Sequence, residues 1–577
     1  GSASPGGNSV SSHSGSANIL FSSNRLAAVD LASPSGLSTP ATVTGLAVGD
    51  TLVSIDRRPQ NGYLYGLGYN ATTPRLQLYV IHPETLVATA VGSTGTFADA
   101  LGNPVAIGNA NASTRFEMDF NPSVDRIRVV SSIGENFRIN PNTGAFVDGD
   151  LGGAAGSVTG LNMDGALNVG GGAANGHGTA YTNNSSNTSI TTQYTLDETV
   201  GKLYIQNPPN TGALTLAKTL SPAVFSVLAF DIAAGVNASS SNTAVGSGSG
   251  IAVIKQASGV TELLARVDLT NGQISNTTAI GSGGITGLAV QASSIAMVAL
   301  SSGGANLLRF SSSTPGTVTT AGITGVNAGE VLVGIDYRPA TGQLYALGIN
   351  AGADTGSVYR LDPQTGAATV IGAAGSVAFT TDGVTAVDFP ADTNGYGFNF
   401  NPAVDRIRVT AGSLNFRLHP DTGLGVDGNN GGAVAVTGSN PDGAINGAAT
   451  SSTGSAYTNS VAGTTVTTLY ALDNVSNSLF IQTPPNAGTL TSGLALTLGG
   501  SMLDFSAPLG FDIQSQVRAS SNNAAVSSGS AYAALTVSGV TSLYRINLVD
   551  GTTTNLGSIG SGTTAIAGLA LGQTHVQ

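Results

Sequence analysis

The few charged side chains of this chain are grouped, and the tightest group is rich in arginine. The ten-residue block Phe-Asn-Pro-x-Val-Asp-Arg-Ile-Arg-Val occupies 120–129 and again 400–409. It supplies Asp125, Arg126 and Arg128 in one copy and Asp405, Arg406 and Arg408 in the other. In an extended strand Arg126 and Arg128 point to one face, and Ile127 and Val129 to the opposite one. Arg138 and Arg417 fall on the next expected strand and could sit beside them. Three guanidiniums gathered this way suit an anion or carboxylate clamp, because each presents a fixed fork of donors. They equally suit a structural network in which Asp and backbone carbonyls satisfy the Arg groups between strands. The second reading is the favoured one.

Two Gly-rich acidic loops form the next group. Asp148, Asp150 and Asp164 stand in the first, and Asp427, Asn429 and Asp442 in the second. Carboxylate and amide oxygens at alternate positions, with Gly at the tight turns, suit a hard cation such as Ca²⁺. The spacing is not that of an EF-hand loop, since the bidentate Glu is missing, and Asp-Gly turn chemistry alone would also produce it. A structural calcium is the one cofactor the sequence suggests.

Catalysis has weaker support. The five histidines, His13, His82, His177, His419 and His575, do not recur between the copies. There is no Gly-x-Ser-x-Gly elbow. Asp56 and Asp336, like Asp231 and Asp512, do recur at the ends of expected inner strands. Paired carboxylates could serve glycoside chemistry, although such residues more often bind neighbouring backbone. Tyr63, Tyr65 and Tyr69 are the densest aromatic group and a candidate sugar platform, of which the second copy keeps only Tyr345.

Composition narrows the setting. Only 9% of the 577 residues are charged, the net charge is −12, and 80 are glycine. A typical soluble domain is about 25% charged and about 7% glycine. A negative chain with no run of basic residues is a poor match for nucleic acid, and no apolar stretch approaches membrane-spanning length. The absence of cysteine removes disulfides, thiolate metal sites and thiol nucleophiles together.

The elements that would hold these groups are written twice. Nine of the ten positions in the Asp-Arg block match at an offset of 280. Ile55-Asp56 and Pro59 return as Ile335-Asp336 and Pro339 at the same offset, and Pro208-Pro209-Asn210 returns as Pro484-Pro485-Asn486. Two homologous domains, 16–291 and 292–573, follow, with a flexible arm at 1–15 and a short tail at 574–577. Within each, short alternating segments bounded by Gly, Asn and Pro read as strands. In the second copy they fall into groups of four. The last strand of each domain is an orphan, and its first group lacks one strand. The pattern predicts two all-β propeller domains of about five blades each, closed by the C-terminal strand. A blade within the long Gly-rich loops would make it six.

The Asp-Arg block, followed by Asn-Phe-Arg-x-(Asn/His)-Pro-(Asn/Asp)-Thr-Gly and then Val-Asp-Gly, resembles the bacterial domain-of-unknown-function family numbered 4394. The likeness covers both domains. It implies a propeller-like, exported bacterial protein and carries no activity with it.

The expected function is therefore non-catalytic. It is that of a secreted bacterial structural or interaction protein at the cell surface, in matrix, or as a filament subunit. Weak surface charge offers little opposition to self-association, in which the N-terminal arm could take part by strand addition. The alternatives are a carbohydrate- or ligand-binding surface propeller and, with less support, a hydrolase or lyase using the recurring Asp.

Overall fold

The computed structural model describes residues 16–572 apart from 83, 292, 293 and 492. The expected arm at 1–15 and tail at 574–577 lie outside the described residues. The chain divides into two compact units at Ser293/Ser294. Both are all-β: among the described residues there is no α-helix, only 3₁₀ turns of three or four residues.

Alternation of side chains sets the local structure. Leu64–Asn70 pairs antiparallel with Arg75–Ile81 along its whole length. The Asn70 side chain closes the turn between them by accepting the backbone N–H of Thr72. Five sheets are built this way in the first unit, and their innermost strands are Ile285–Val290, Thr51–Arg57, Phe116–Asn121, Gly178–Tyr181 and Ser226–Asp231. Each of these packs on the next in that order, and Ser226–Asp231 returns to Ile285–Val290. The second unit repeats the order with Ile566–Leu571, Val331–Tyr337, Gly397–Asn401, Gly454–Tyr457 and Ser506–Ile513.

The orphan strands find partners. Ile285–Val290 pairs antiparallel with Ser16–Phe21, and Ile566–Leu571 with Ala296–Ser301, so each completes the first sheet of its own unit. The groups of four are not all complete. Leu424–Val426 makes only a single bridge, Leu418↔Gly425. Gly423 there has φ +71°, and the Phe379 ring fills the space a Cβ on Gly425 would take. The third sheet has three strands in both units. Asn446–Gly447 pairs parallel with Thr489–Leu490, and the fourth sheet of the second unit begins at Gly454.

Apolar faces meet between sheets. In the first unit Phe97 and Phe146 stack at 3.9 Å, and both lie edge-on to Phe137 at 5.4 Å. Phe137 is fully buried. Phe137→Ala is expected to lower unfolding stability by about 3–5 kcal/mol, as for other buried aromatics, read from the urea midpoint.

Candidate functional site

The Asp-Arg block forms two buried ionic clusters, each joining one sheet to the next. Asp125 sits in the turn between Phe116–Asn121 and Arg126–Ser131 with φ +52°, and Asp405 repeats this at +54°. This left-handed conformation is one that Asp tolerates better than most residues. It turns the Asp125 carboxylate to Arg58, which follows the inner strand of the second sheet. Arg58 Nε donates to Asp125 Oδ1 at 2.9 Å, and a terminal nitrogen donates to Oδ2. Its remaining N–H groups reach Tyr65, Gln60 and Asn142. In the second unit Arg338 donates to Asp405 at 2.9 Å, to Asp421 at 2.9 Å and to Tyr345 at 3.0 Å. Burial would lower the Arg338 pKa, but Asp405 and Asp421 hold it above its ordinary value.

Arg128 and Arg138 are directly opposite in register on neighbouring strands of the third sheet, as are Arg408 and Arg417. Asp164 lies between the two guanidiniums. It accepts from Arg128 at 2.6 Å and bidentately from Arg138 at 2.8 Å. Asp442 does the same for Arg408 at 2.7 Å and Arg417 at 2.8 Å. Arg128 also donates to Asn136 and to Asn210, which follows the fourth sheet's strand Lys202–Gln206. Asn486 takes the place of Asn210 in the second unit. The recurring Pro-Pro-Asn segment thus supplies the far end of the cluster. Burial would pull Arg128 down, yet Tyr181 and Asp164 hold it above its ordinary value.

The Gly of Val-Asp-Gly has a steric role here. A Cβ on Gly149 would lie 2.2 Å from Asp164 Oδ1, and one on Gly428 2.2 Å from Asp442 Oδ1. Only glycine lets the loop close over the carboxylate.

The six residues expected to bind calcium are therefore divided between two tasks. Asp164 and Asp442 neutralise arginines. Asp148 accepts the backbone N–H groups of Asp150 and Asn162, and Asp150 accepts those of Gly156 and Val158. Asp427 and Asn429 hold their loop in the same manner. Arg126 and Arg406 stay outside the clusters, each donating to the carbonyl of the preceding Asp. Arg126, Arg128 and Arg138 line an open hollow of about 280 Å³ with Asn121, Asn210 and Tyr181.

Recurring Asp residues tie the inner strands together. Asp56 accepts the N–H of Phe120 at 2.8 Å and Asp231 that of Val290 at 2.8 Å. Asp336 and Asp512 do so for Phe400 and Leu571. In the first unit Asp119 adds a third link, to Tyr181 N at 2.8 Å. The carboxylate oxygens of Asp56, Asp119 and Asp231 come within 4.8 Å of one another, the one such triple among the described residues. Burial, then mutual repulsion, pushes Asp56 and Asp119 well above the carboxylate range, and burial raises Asp231 to about 6. Sequence reasoning found Asp56 and Asp231 because they recur. It missed Asp119, whose counterpart is Asn399, and it missed Arg58 and Arg338, which recur before Pro59 and Pro339.

The tyrosines expected as a sugar platform are core residues. Tyr63, Tyr65, Tyr69 and Tyr345 are all buried. The Tyr69 hydroxyl donates to Ile107 O, and Tyr65 accepts from Arg58. Of the histidines, His82 and His177 are buried and accept backbone N–H groups through Nδ1.

Asp164→Asn leaves two guanidiniums facing each other with one carboxylate removed. A loss of about 3–5 kcal/mol is expected, as for other broken buried pairs, and Asp442→Asn should reproduce it in the second unit. Gly149→Ala should mimic Asp164→Asn in direction. Chemical denaturation of the three variants checks this.

Comparison with known proteins adds a family and little else. No curated protein matches the chain. Many solved structures resemble it, two of them as follows, each weakly. A hydrazine synthase of Kuenenia stuttgartiensis is 11% identical, with 66% of this chain and 81% of that chain covered and a TM-score of 0.22. A structure titled as the Dos1 propeller is 9% identical, with 92% and 95% covered and a TM-score of 0.21. The sequence pattern of the family described as Domain of unknown function (DUF4394) matches residues 25–289 and again 306–570. The chain belongs to that family and carries two copies of it in tandem.

Proposed function

We propose that each unit is a five-bladed propeller closed by its C-terminal strand, and that the protein is an exported, non-catalytic structural or interaction protein. The cyclic packing of five inner strands supports the ring. One observation carries the function: in both units Arg58 or Arg338 pairs with Asp125 or Asp405, and Arg128 with Arg138, or Arg408 with Arg417, shares Asp164 or Asp442, holding adjacent sheets together. Groups saturated in this way are poorly placed to attack or protonate a substrate. The hydrolase reading loses support for the same reason, since Asp56 and Asp336 are buried and bound to inner-strand backbone. Among the described residues no helix is long and apolar enough to cross a membrane.

With only 9% charged residues, copies of the chain repel one another weakly, which favours a surface assembly or filament. Sedimentation and negative-stain microscopy of the full chain over a concentration series test this. Growth of ordered oligomers is expected, and a strictly monomeric species at the highest concentration would overturn it.

A second reading, a ligand-binding surface, is favoured by the Arg-lined hollow. Three guanidiniums with one carboxylate, Asp164, between two of them leave an excess of positive charge there. The fitting ligand is a small anion such as a carboxylate or phosphate. Calorimetric titration with citrate and with inorganic phosphate should show binding that Arg126→Gln weakens about tenfold, roughly one charge-assisted hydrogen bond. Equal heats in the two proteins would remove this reading.

A further inference from the structure

The first unit gathers three buried carboxylates in one place. Asp56, Asp119 and Asp231 come from three different inner strands, yet their oxygens meet within 4.8 Å. The Thr51–Arg57 and Ser226–Asp231 strands are two steps apart in the packing order, so the carboxylates meet across the middle of the unit. Each is oriented by a backbone N–H of another inner strand, from Phe120, Tyr181 and Val290.

A second observation points into the same place. Glu117 lies two residues before Asp119 and so on the same strand face. It is 5% exposed, and among the described residues it has no hydrogen-bond or ion-pair partner. Burial raises its pKa; the charge of Arg115 opposes this, and the charge of Asp231 adds to it. Four carboxylates thus share one buried region.

The neighbouring arginines act on the carboxylates through their charge, Arg57 on Asp56 and Arg115 on Glu117, while the hydrogen bonds that follow go elsewhere. Arg128 stands opposite Asp119 in register but sends its guanidinium to Asp164. Arg57 donates to Gly62 O and Asn18, and Arg115 to Glu198 and Val227 O. None of the four carboxylates has an Arg, Lys or His nitrogen within 4.0 Å among the described residues.

The second unit differs at these positions. Gly397 stands in place of Glu117 and Asn399 in place of Asp119, with Tyr337 for Arg57 and Gly395 for Arg115. The Asn399 amide donates to Asp512 at 3.1 Å and accepts from Tyr457 N at 2.9 Å. The Asn399 amide gives Asp512 a side-chain N–H donor, where the first unit has the carboxylate of Asp119.

We propose that the first unit binds one divalent cation of the calcium type at Asp56, Asp119 and Asp231, with Glu117 as a further ligand, and that the second unit binds none. Oxygens at these separations can be bridged by an ion with bonds of about 2.3–2.6 Å, and an all-carboxylate set is the donor chemistry hard cations select. The site is distinct from the Gly-rich loops that the sequence suggested.

The test uses the full chain stripped with EDTA and titrated with CaCl₂ in a calorimeter, with bound metal counted by elemental analysis after dialysis. One Ca²⁺ per chain is expected, with a rise in the melting temperature. Asp119→Asn, which gives the first unit the residue of the second, should remove the bound ion and the calcium-dependent rise in melting temperature. Glu117→Gln should weaken binding at least tenfold, and it serves as the second reporter where Asp119→Asn folds poorly; unchanged affinity would remove Glu117 from the site. Failure of the unaltered protein to bind Ca²⁺ would overturn the proposal, leaving protons as the neutralising charge. So would binding of two ions per chain, or binding that survives Asp119→Asn and is lost in Asp148→Asn.

Discussion

Two guanidiniums facing each other on adjacent strands can be buried only if a carboxylate lies between them. Arg128 and Arg138 are in this position, and Asp164 is the carboxylate. Much of the surrounding structure follows from that requirement. The loop bearing Asp164 must come close, so Gly149 has no room for a Cβ. The remaining donors of Arg128 need acceptors, and Asn136 and Asn210 supply them. Because Asn210 follows a strand of the next sheet, satisfying one arginine also sets the distance between two sheets. Arg58 and Asp125 repeat the device one sheet earlier. A buried ion pair often contributes little net stability compared with apolar packing, while removing one partner is costly. Its effect in this fold is to fix which sheets are adjacent and at what register.

The repeat, the strands and the arginine network were legible in the sequence because recurrence marks them. Arg128 and Arg138 could be placed side by side from strand alternation alone. Their carboxylate could not, since Asp164 arrives from a loop well beyond the next strand, and its Asp-Gly setting resembles a calcium loop. Arg58 recurs two residues after Asp56 and well before the Asp-Arg block, so sequence spacing does not mark its partner Asp125. The tyrosines were misread because exposure cannot be inferred from clustering: Tyr65 and Tyr69 alternate with glycines along a fully packed strand. Asp119 and Glu117 were passed over for the opposite reason. They are charged in one copy only, so recurrence hides them.

That difference between the copies gives the second unit the value of an internal control. Both units keep the arginine clusters and the inner-strand links from Asp56 or Asp336 and from Asp231 or Asp512. Near the middle, Arg57, Arg115, Glu117 and Asp119 of the first unit stand where the second has Tyr337, Gly395, Gly397 and Asn399. Duplication leaves the architecture duplicated and frees one copy to vary its centre. A function specific to one unit would be sought there before it is sought in the shared clusters.

The central claim is that guanidinium–carboxylate pairs hold adjacent sheets in place. A double-mutant cycle on Arg58→Met and Asp125→Asn, followed by urea unfolding of the full chain, tests it most directly. Asn keeps the left-handed turn accessible, so the cycle reports the pair and not the backbone. A coupling energy of about 2–3 kcal/mol, the upper part of the range for contacting residues, is the predicted result. Additivity within about 0.5 kcal/mol would contradict the account.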